Sequence, residues 1–232
     1  MQRSHMVLRA YMKVLLLQFK RPLLNFLVTY HKELERKVGN ANSLLDVGCG
    51  SDSPIKYFKK RIGFTLGVDG FEPSIKGSRQ KRIHDEYRCM DLLEIEQEFG
   101  ANSFDCVLSS DVIEHFPKKD GLKLIYQMES IARNRVIIFT PNGFVPQYEH
   151  SGNLLQRHQS GWTSEEMLNL GYDVIGINGW KPLLKEGALT KYRPHLFWII
   201  ISRFTQFLVR NLPKHAFQIL CVKTFWRDTD LF

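Results

Sequence analysis

Leu44-Leu45-Asp46-Val47-Gly48-Cys49-Gly50-Ser51-Asp52 reads as a short apolar strand running into a glycine-rich turn, and Pro54 then opens a helix expected over residues 54–61. Glycines one residue apart let the backbone turn tightly and keep Cβ atoms out of a ligand's way. The strand end and the next helix N-terminus offer unpaired N–H groups to whatever sits above the turn. Such a corner binds a nucleotide, and the rest of the chain must say which.

Outward from that corner the sequence alternates strand and helix. Strands are expected over residues 44–47, 64–69, 86–90, 104–109 and 136–140, with helices over 74–81 and 118–132 between them. Thr163 followed by Glu166 marks a capping box and the start of another helix. A sixth strand at 172–177, an apolar helix at 194–211 and a final strand at 217–225 complete the pattern. The alternation implies an α/β fold: a parallel sheet with helices on both faces and its ligand at the carboxyl ends of the strands.

Two aspartates fall at those ends. Asp69 closes the second strand about 20 residues past the glycine turn, where a carboxylate can accept both hydroxyls of a ribose. Asp91 follows the third strand in Cys89-Met90-Asp91-Leu92. The dinucleotide fingerprint G-x-G-x-x-G fails, because Ser53 stands at its third glycine, and this disfavours a nucleotide-dependent oxidoreductase. The corner more closely resembles motif I of the class I S-adenosylmethionine-dependent methyltransferases, matched by Asp46, Gly48 and Gly50, with Asp52 in place of a third glycine. A carboxylate at 52 is expected to repel pyrophosphate and tolerate a sulfonium. Phe104-Asp105-Cys106-Val107 leading to Glu114-His115, and Thr140-Pro141-Asn142, are similar to the small-molecule, ubiquinone-type (methyltransferase type 11/12) group of that family.

The resemblance, which covers about residues 42–180, implies a Rossmann-like seven-stranded sheet with an antiparallel last strand. An N-terminal helical extension and a helix inserted between the last two strands (181–215) would be added to it. Its implied cofactor is S-adenosyl-L-methionine, held by Asp46, Gly48, Cys49, Gly50, Asp69, Gly70, Asp91, Leu92, Ser109 and Ser110. Asp91 would receive the adenine amino group and the Leu92 N–H a ring nitrogen, with Ser109 and Ser110 beside the methionine moiety. Residues 1–40 would form a helical lid on a domain spanning 41–232.

Methyl transfer to a hydroxyl is helped by a base, and imidazole titrates near neutrality. His115, just past the fourth strand, and His158, in the long loop after the fifth, are the catalytic candidates, with His150 a weaker one. Asp111, Glu114 and His115 imitate the acid-x-x-Glu-His cluster that holds a divalent metal in ubiquinone-type enzymes, but no metal is expected.

Net charge is +8 and unevenly placed: residues 1–40 and 181–232 each carry +6, and residues 41–180 carry −4. Both basic flanks are rich in Leu, Ile and Phe, which suits an anionic membrane surface better than nucleic acid. The loop at 142–161 holds one cation, Arg157, so an RNA methyltransferase is disfavoured. Cys49, Cys89, Cys106 and Cys221 lack C-x-x-C spacing and read as reduced thiols of a cytoplasmic protein. The expected function is methyl transfer, at oxygen, to a small-molecule or lipid- or glycan-linked acceptor. The protein is placed in the cytoplasm or at the inner face of the membrane, and a homodimer is compatible. A non-catalytic membrane module on the same fold is the remaining alternative.

Overall fold

A computed structural model describes residues 30–148, 153–185 and 189–225. Residues 1–29 of the helical lid expected over 1–40, and His150, lie outside them, and α1 (Tyr30–Val38) represents the N-terminal extension among the described residues. One seven-stranded sheet runs β3 (Glu86–Cys89), β2 (Phe64–Asp69), β1 (Ser43–Val47), β4 (Phe104–Ser110), β5 (Ala132–Pro141), β9 (Ala216–Thr224), β6 (Asp173–Trp180). The first five strands are parallel, and β9 is antiparallel to both neighbours. The order reverses between β1 and β4, so their carboxyl ends splay apart and leave a crevice.

The core forms on both faces because successive strand residues alternate. Leu45 and Val47 join Val107, Ile113, Leu124 and Met128 on one side. Leu44 points the other way, to Leu34, Ile55, Cys106 and Leu108. All are essentially inaccessible to solvent. Each such aliphatic side chain contributes roughly 1.5–3 kcal/mol by leaving water, and this clamps β1 at the centre of the sheet. The helices are α2 (Glu72–Gln80), α3 (Ile95–Glu98), α4 (Lys118–Ile131), α5 (Ser164–Asn169) and α6 (His195–Arg210). The capping box at α5 forms as the sequence demands: Glu166 N donates to Thr163 Oγ1 at 3.2 Å and Thr163 N donates to Glu166 Oε2 at 2.8 Å.

Several elements differ from expectation. The helix expected over 54–61 is two 3-10 turns, Pro54–Tyr57 and Lys59–Arg61, broken where Phe58 takes φ −141°. The inserted segment contains, before its helix, a small hairpin of β7 (Leu184–Lys185) and β8 (Leu189–Thr190). Finally, β6 continues to Trp180 through an irregularity at Asn178 and Gly179, both with positive φ. There α6 crosses so closely that a Cβ on Gly176 would collide with the Val209 carbonyl oxygen.

Candidate active site

The glycine corner is built as its residues require. Gly48 takes φ +72°, and a Cβ there would run into the Val112 side chain. Gly50 also lies in the left-handed region, with open space where its Cβ would be. Asp46 is buried at the end of β1, and its Oδ2 accepts from Ser53 Oγ at 2.5 Å and pairs with His84 Nε2 at 2.9 Å. Ser53, the residue that spoils a dinucleotide fingerprint, thus ties the corner together, and its Oγ also accepts from Ile55 N. Sequence reasoning passed over His84, which becomes visible only once β2 and β3 are paired.

Asp69 holds the turn from below. Its Oδ2 accepts from Gly50 N and its Oδ1 from Phe71 N, both at 2.8 Å. Burial raises its carboxyl above the usual range, and these two N–H groups work against that rise. A cavity of about 400 Å³ opens beside it, lined by Gly48, Gly50, Asp69, Gly70, Asp91 and Leu92 among others. Asp91 uses Oδ1 to accept from Leu93 N at 2.9 Å.

A larger cavity of about 960 Å³ lies on the other side of the same turn, against Asp46, Cys49, Ser110, Tyr30 and His31. Burial, then the charges of Asp46 and Asp69, push the Cys49 thiol far up, so it stays protonated. Ser110 shares a 2.7 Å hydrogen bond with the Tyr30 hydroxyl, and the Tyr30 ring stacks on Phe139. Ser109 does not belong with these residues. One residue earlier on the strand, it faces the core, is completely buried, lines none of these cavities, and its hydroxyl has no partner among the described residues. Asp52 also departs from expectation: Lys56 and Lys81 both pair with its exposed carboxylate, so it presents no uncompensated charge.

A third cavity, of about 430 Å³, lies past β4 and is lined by Glu114, His115, His158, Val145, Phe217 and Gln218 among others. Asp111 and Gln156 line all three cavities and mark their junction. Asp111 holds this place with a left-handed φ of +54°, its N–H donating to Phe139 O and its Oδ1 accepting from Gln218 Nε2.

Loop backbone brings the two histidines together. Gln159 N and Ser160 N both donate to Glu114 O, stitching the loop to the 3-10 turn Ile113–His115. The rings then meet edge to face, 4.8 Å between centroids. His115 Nδ1–H donates to Arg157 O at 3.3 Å and His158 Nδ1–H to Val145 O at 2.6 Å. A carbonyl can only accept, so each neutral ring carries its lone pair on Nε2. Burial and the neighbouring His158 lower His115 to about 4, which keeps it neutral and makes it a weaker base than an unperturbed imidazole. Glu114 is raised well above the carboxylate range by burial and by the charge of Asp111. Its Oε2 accepts from Thr140 Oγ1 at 3.0 Å, while its Oε1 is buried and has no partner among the described residues. Ligand atoms of Glu114, His115 and His158 all lie within 4.8 Å of one another. Asp111, grouped with them by sequence, lies outside this set, and His158 takes its place.

Asn142, in the Thr-Pro-Asn turn, is structural. Its Nδ2 donates to the carbonyls of Pro213, Lys214 and Ala216, which fastens the end of β5 to the start of β9.

This strand order with its reversed β9, and a glycine corner opposite two strand-end aspartates, define the class I methyltransferase fold. Residues 45–139 match the family model described as Methyltransferase domain. A SAM-dependent methyltransferase from Archaeoglobus fulgidus superposes with TM-score 0.56 at 17% identity, over 84% of this chain and 90% of that one. The methyltransferase domain of bacterial CtHen1-C gives 0.53 at 18%, over 84% and 94%. Phosphoethanolamine N-methyltransferase 2 from Haemonchus contortus gives 0.52 at 18%, over 84% and 51%. No curated protein sequence matches significantly. Residues 45–139 thus resemble the methyltransferase type 11 domain, set in a chain with the fold of the class I S-adenosylmethionine-dependent methyltransferases. The site fits S-adenosylmethionine: glycine backbone at the turn, strand-end carboxylates at Asp69 and Asp91, and open volume on both sides.

Proposed function

We propose that this protein methylates a hydroxyl of a small or lipid-linked acceptor that enters the cavity closed by Glu114, His115 and His158. The observation that carries the reading is the junction at Asp111 and Gln156, where the two cavities flanking the glycine corner open into the third. Gly48, Gly50, Asp69, Gly70, Asp91 and Leu92 would hold the adenosyl part, with Asp46 and Ser110 toward the amino-acid part. When bound, the cofactor supplies a methyl already activated on a sulfonium. The protein's work is then alignment, worth roughly 7–11 kcal/mol in well-oriented systems, together with removal of the acceptor proton. His115 and His158 lie where that proton leaves. Tyr30 and His31 wall the cofactor side, in keeping with a covering role for the N-terminal segment. Nucleic acid is a poorer fit: Lys118 and Lys181, brought to the loop mouth by the fold, donate to the carbonyls of Gly161 and Asn142. The test is transfer of a labelled methyl from S-adenosylmethionine into extract fractions, where methylation of a hydroxyl should give an alkali-stable methyl ether and an alkali-labile methyl ester would overturn the hydroxyl reading. Label appearing only in RNA would overturn the reading.

One observation favours a second reading of the same cavity, against the expectation of no metal. Among the described residues, a buried carboxylate oxygen without a partner, beside two imidazoles oriented by backbone carbonyls, suits a divalent cation. That cation would polarise the acceptor oxygen and remove the need for a strong base. Binding of Mn²⁺ followed by electron paramagnetic resonance, lost in His158→Ala, would support it; no binding by the wild type would dismiss it.

A further inference from the structure

The helix α6 is inside out. The side turned toward its own sheet carries Ser202, Thr205, Gln206 and Val209, and all four bond or pack tightly onto β6. Gly179 N donates to Gln206 Oε1 and Gln206 Nε2 to Gly176 O, both within 2.9 Å, while Trp180 N donates to Thr205 Oγ1. The opposite side presents Phe197, Ile200, Phe204, Phe207 and Leu208, each between 41% and 68% exposed. A surface helix normally has its apolar stripe on the sheet and its polar side in water. Here the arrangement is reversed, and contiguous exposed apolar surface of this kind marks a site of association.

Charge selects the partner. No Asp or Glu occurs between Glu186 and Asp228, while the same stretch holds seven Lys and Arg. Lys191 and Arg193 stand before the helix and Lys214 after it, all exposed, and none holds an ion pair among the described residues. Arg203 borders the apolar side and, with Asn178, Thr190, Ser202, Leu184 and Ile199, lines a cavity of about 190 Å³, room for a phosphate headgroup. No described helix is long and apolar enough to cross a membrane. A 16-residue helix with an apolar outer face and cations at both ends is built to lie in the plane of a bilayer surface.

We infer that the outer face of α6 seats the protein on an anionic lipid bilayer, with Phe204 and Leu208 in the acyl region and Lys191, Arg193, Arg203 and Lys214 at the phosphates. Trp198, on the sheet-facing side, and Ile201, on the flank of the same helix, pack beside Phe217 and Val145, which line the third cavity. The seated face therefore stands one side chain from that cavity.

The test is flotation of the full chain with vesicles, without cofactor or acceptor, so that it succeeds or fails independently of the catalytic reading. Vesicles of equal parts phosphatidylcholine and phosphatidylglycerol should carry the protein up, and phosphatidylcholine alone should not. Phe204→Ser combined with Leu208→Ser should lower partitioning at least about tenfold while binding of S-adenosylmethionine is retained. Absence of flotation, or flotation undiminished in the double variant, would overturn the inference. So would a wild-type dimer in lipid-free sedimentation that the double variant turns into a monomer, because the face would then belong to a second copy. A nitroxide on Phe204→Cys, in a Cys89→Ser background, should be mobile before vesicles are added. If it is already immobile, another part of the chain, residues 1–29 included, covers the face, and the inference falls.

Discussion

The two sides of the crevice are made differently. On the β1–β2 side the ligand meets backbone: a turn of glycines, a carboxylate that holds the turn by its N–H groups, and a second carboxylate one strand further out. On the β4–β5–β9 side it meets side chains from distant segments, Glu114 and His115 from a 3-10 turn, His158 from a loop and Gln218 from an antiparallel strand. The first side needs few long-range contacts to exist, and the second is nothing without them. Cofactor binding and acceptor chemistry should accordingly separate under mutation.

The sharpest way to break this contrast is Gly48→Val. The backbone there is left-handed and the space beyond is filled by Val112, so strain and overpacking should together cost about 2–4 kcal/mol of stability. Calorimetry should find no measurable S-adenosylmethionine binding in the variant at a temperature where it remains folded. Affinity within tenfold of wild type would mean that the turn's backbone does not shape the crevice.

His115→Ala probes the other side. Removing a proton-handling or ligating imidazole costs on the order of 10²–10⁴ in rate, and the glycine corner makes no hydrogen bond to it. Turnover should collapse while cofactor affinity is unchanged. A parallel loss of affinity would show that the two sides are one unit.

Asp69→Asn should have a smaller effect than either. The amide keeps the shape but supplies only one acceptor oxygen where Gly50 N–H and Phe71 N–H now find two. Orphaning a donor and losing a charged acceptor should weaken cofactor binding by about ten- to a hundredfold, read by calorimetry, with the melting temperature little changed.

The same division governs what the sequence disclosed. Residues 44–52 announce their turn because its chemistry is local: an apolar run, two glycines, a proline. The capping box at Thr163 and Glu166 is equally local, and it forms. What escaped was long-range. His84 reaches Asp46 only because β2 and β3 pair, and Tyr30 meets Ser110 across 80 residues. Ser109 and Ser110 look equivalent in the sequence, and strand alternation sends one into the core and the other to the cavity. The partnership of His115 with His158 depends on Glu114 O accepting two N–H groups from a loop, which no spacing rule encodes.

A smaller effect tests whether the roof over the larger cavity is held independently of the floor. Glu33 on α1 is buried and bonds to Arg36 and, across 177 residues, to Arg210 on α6. Burial raises its carboxyl, and the two guanidiniums more than reverse that, leaving it below its ordinary 4.5. A depressed carboxyl contributes stability that is present above the unfolded value and lost as pH falls through the folded one. Wild type should therefore exceed Glu33→Gln by about 1–3 kcal/mol at neutral pH, and the gap should close on acidification below 4.5. A gap that stays constant with pH would mean that the pair contributes packing alone.

The smallest effect decides a point about cofactor choice. If Asp52 selected a cationic ligand by its charge, Asp52→Asn would weaken S-adenosylmethionine binding substantially. Yet Lys81 Nζ lies 2.8 Å from one carboxylate oxygen, Lys56 holds the other, and the group is 55% exposed. A charge so compensated and so wet has little field left to exert across the cavity, since solvent and salt screen what the lysines do not cancel. Affinity in the variant should stay within about twofold of wild type at physiological salt. Should it fall tenfold, the lysines must release Asp52 when the ligand arrives, and selection by charge would return to the glycine corner, where backbone geometry alone now accounts for it.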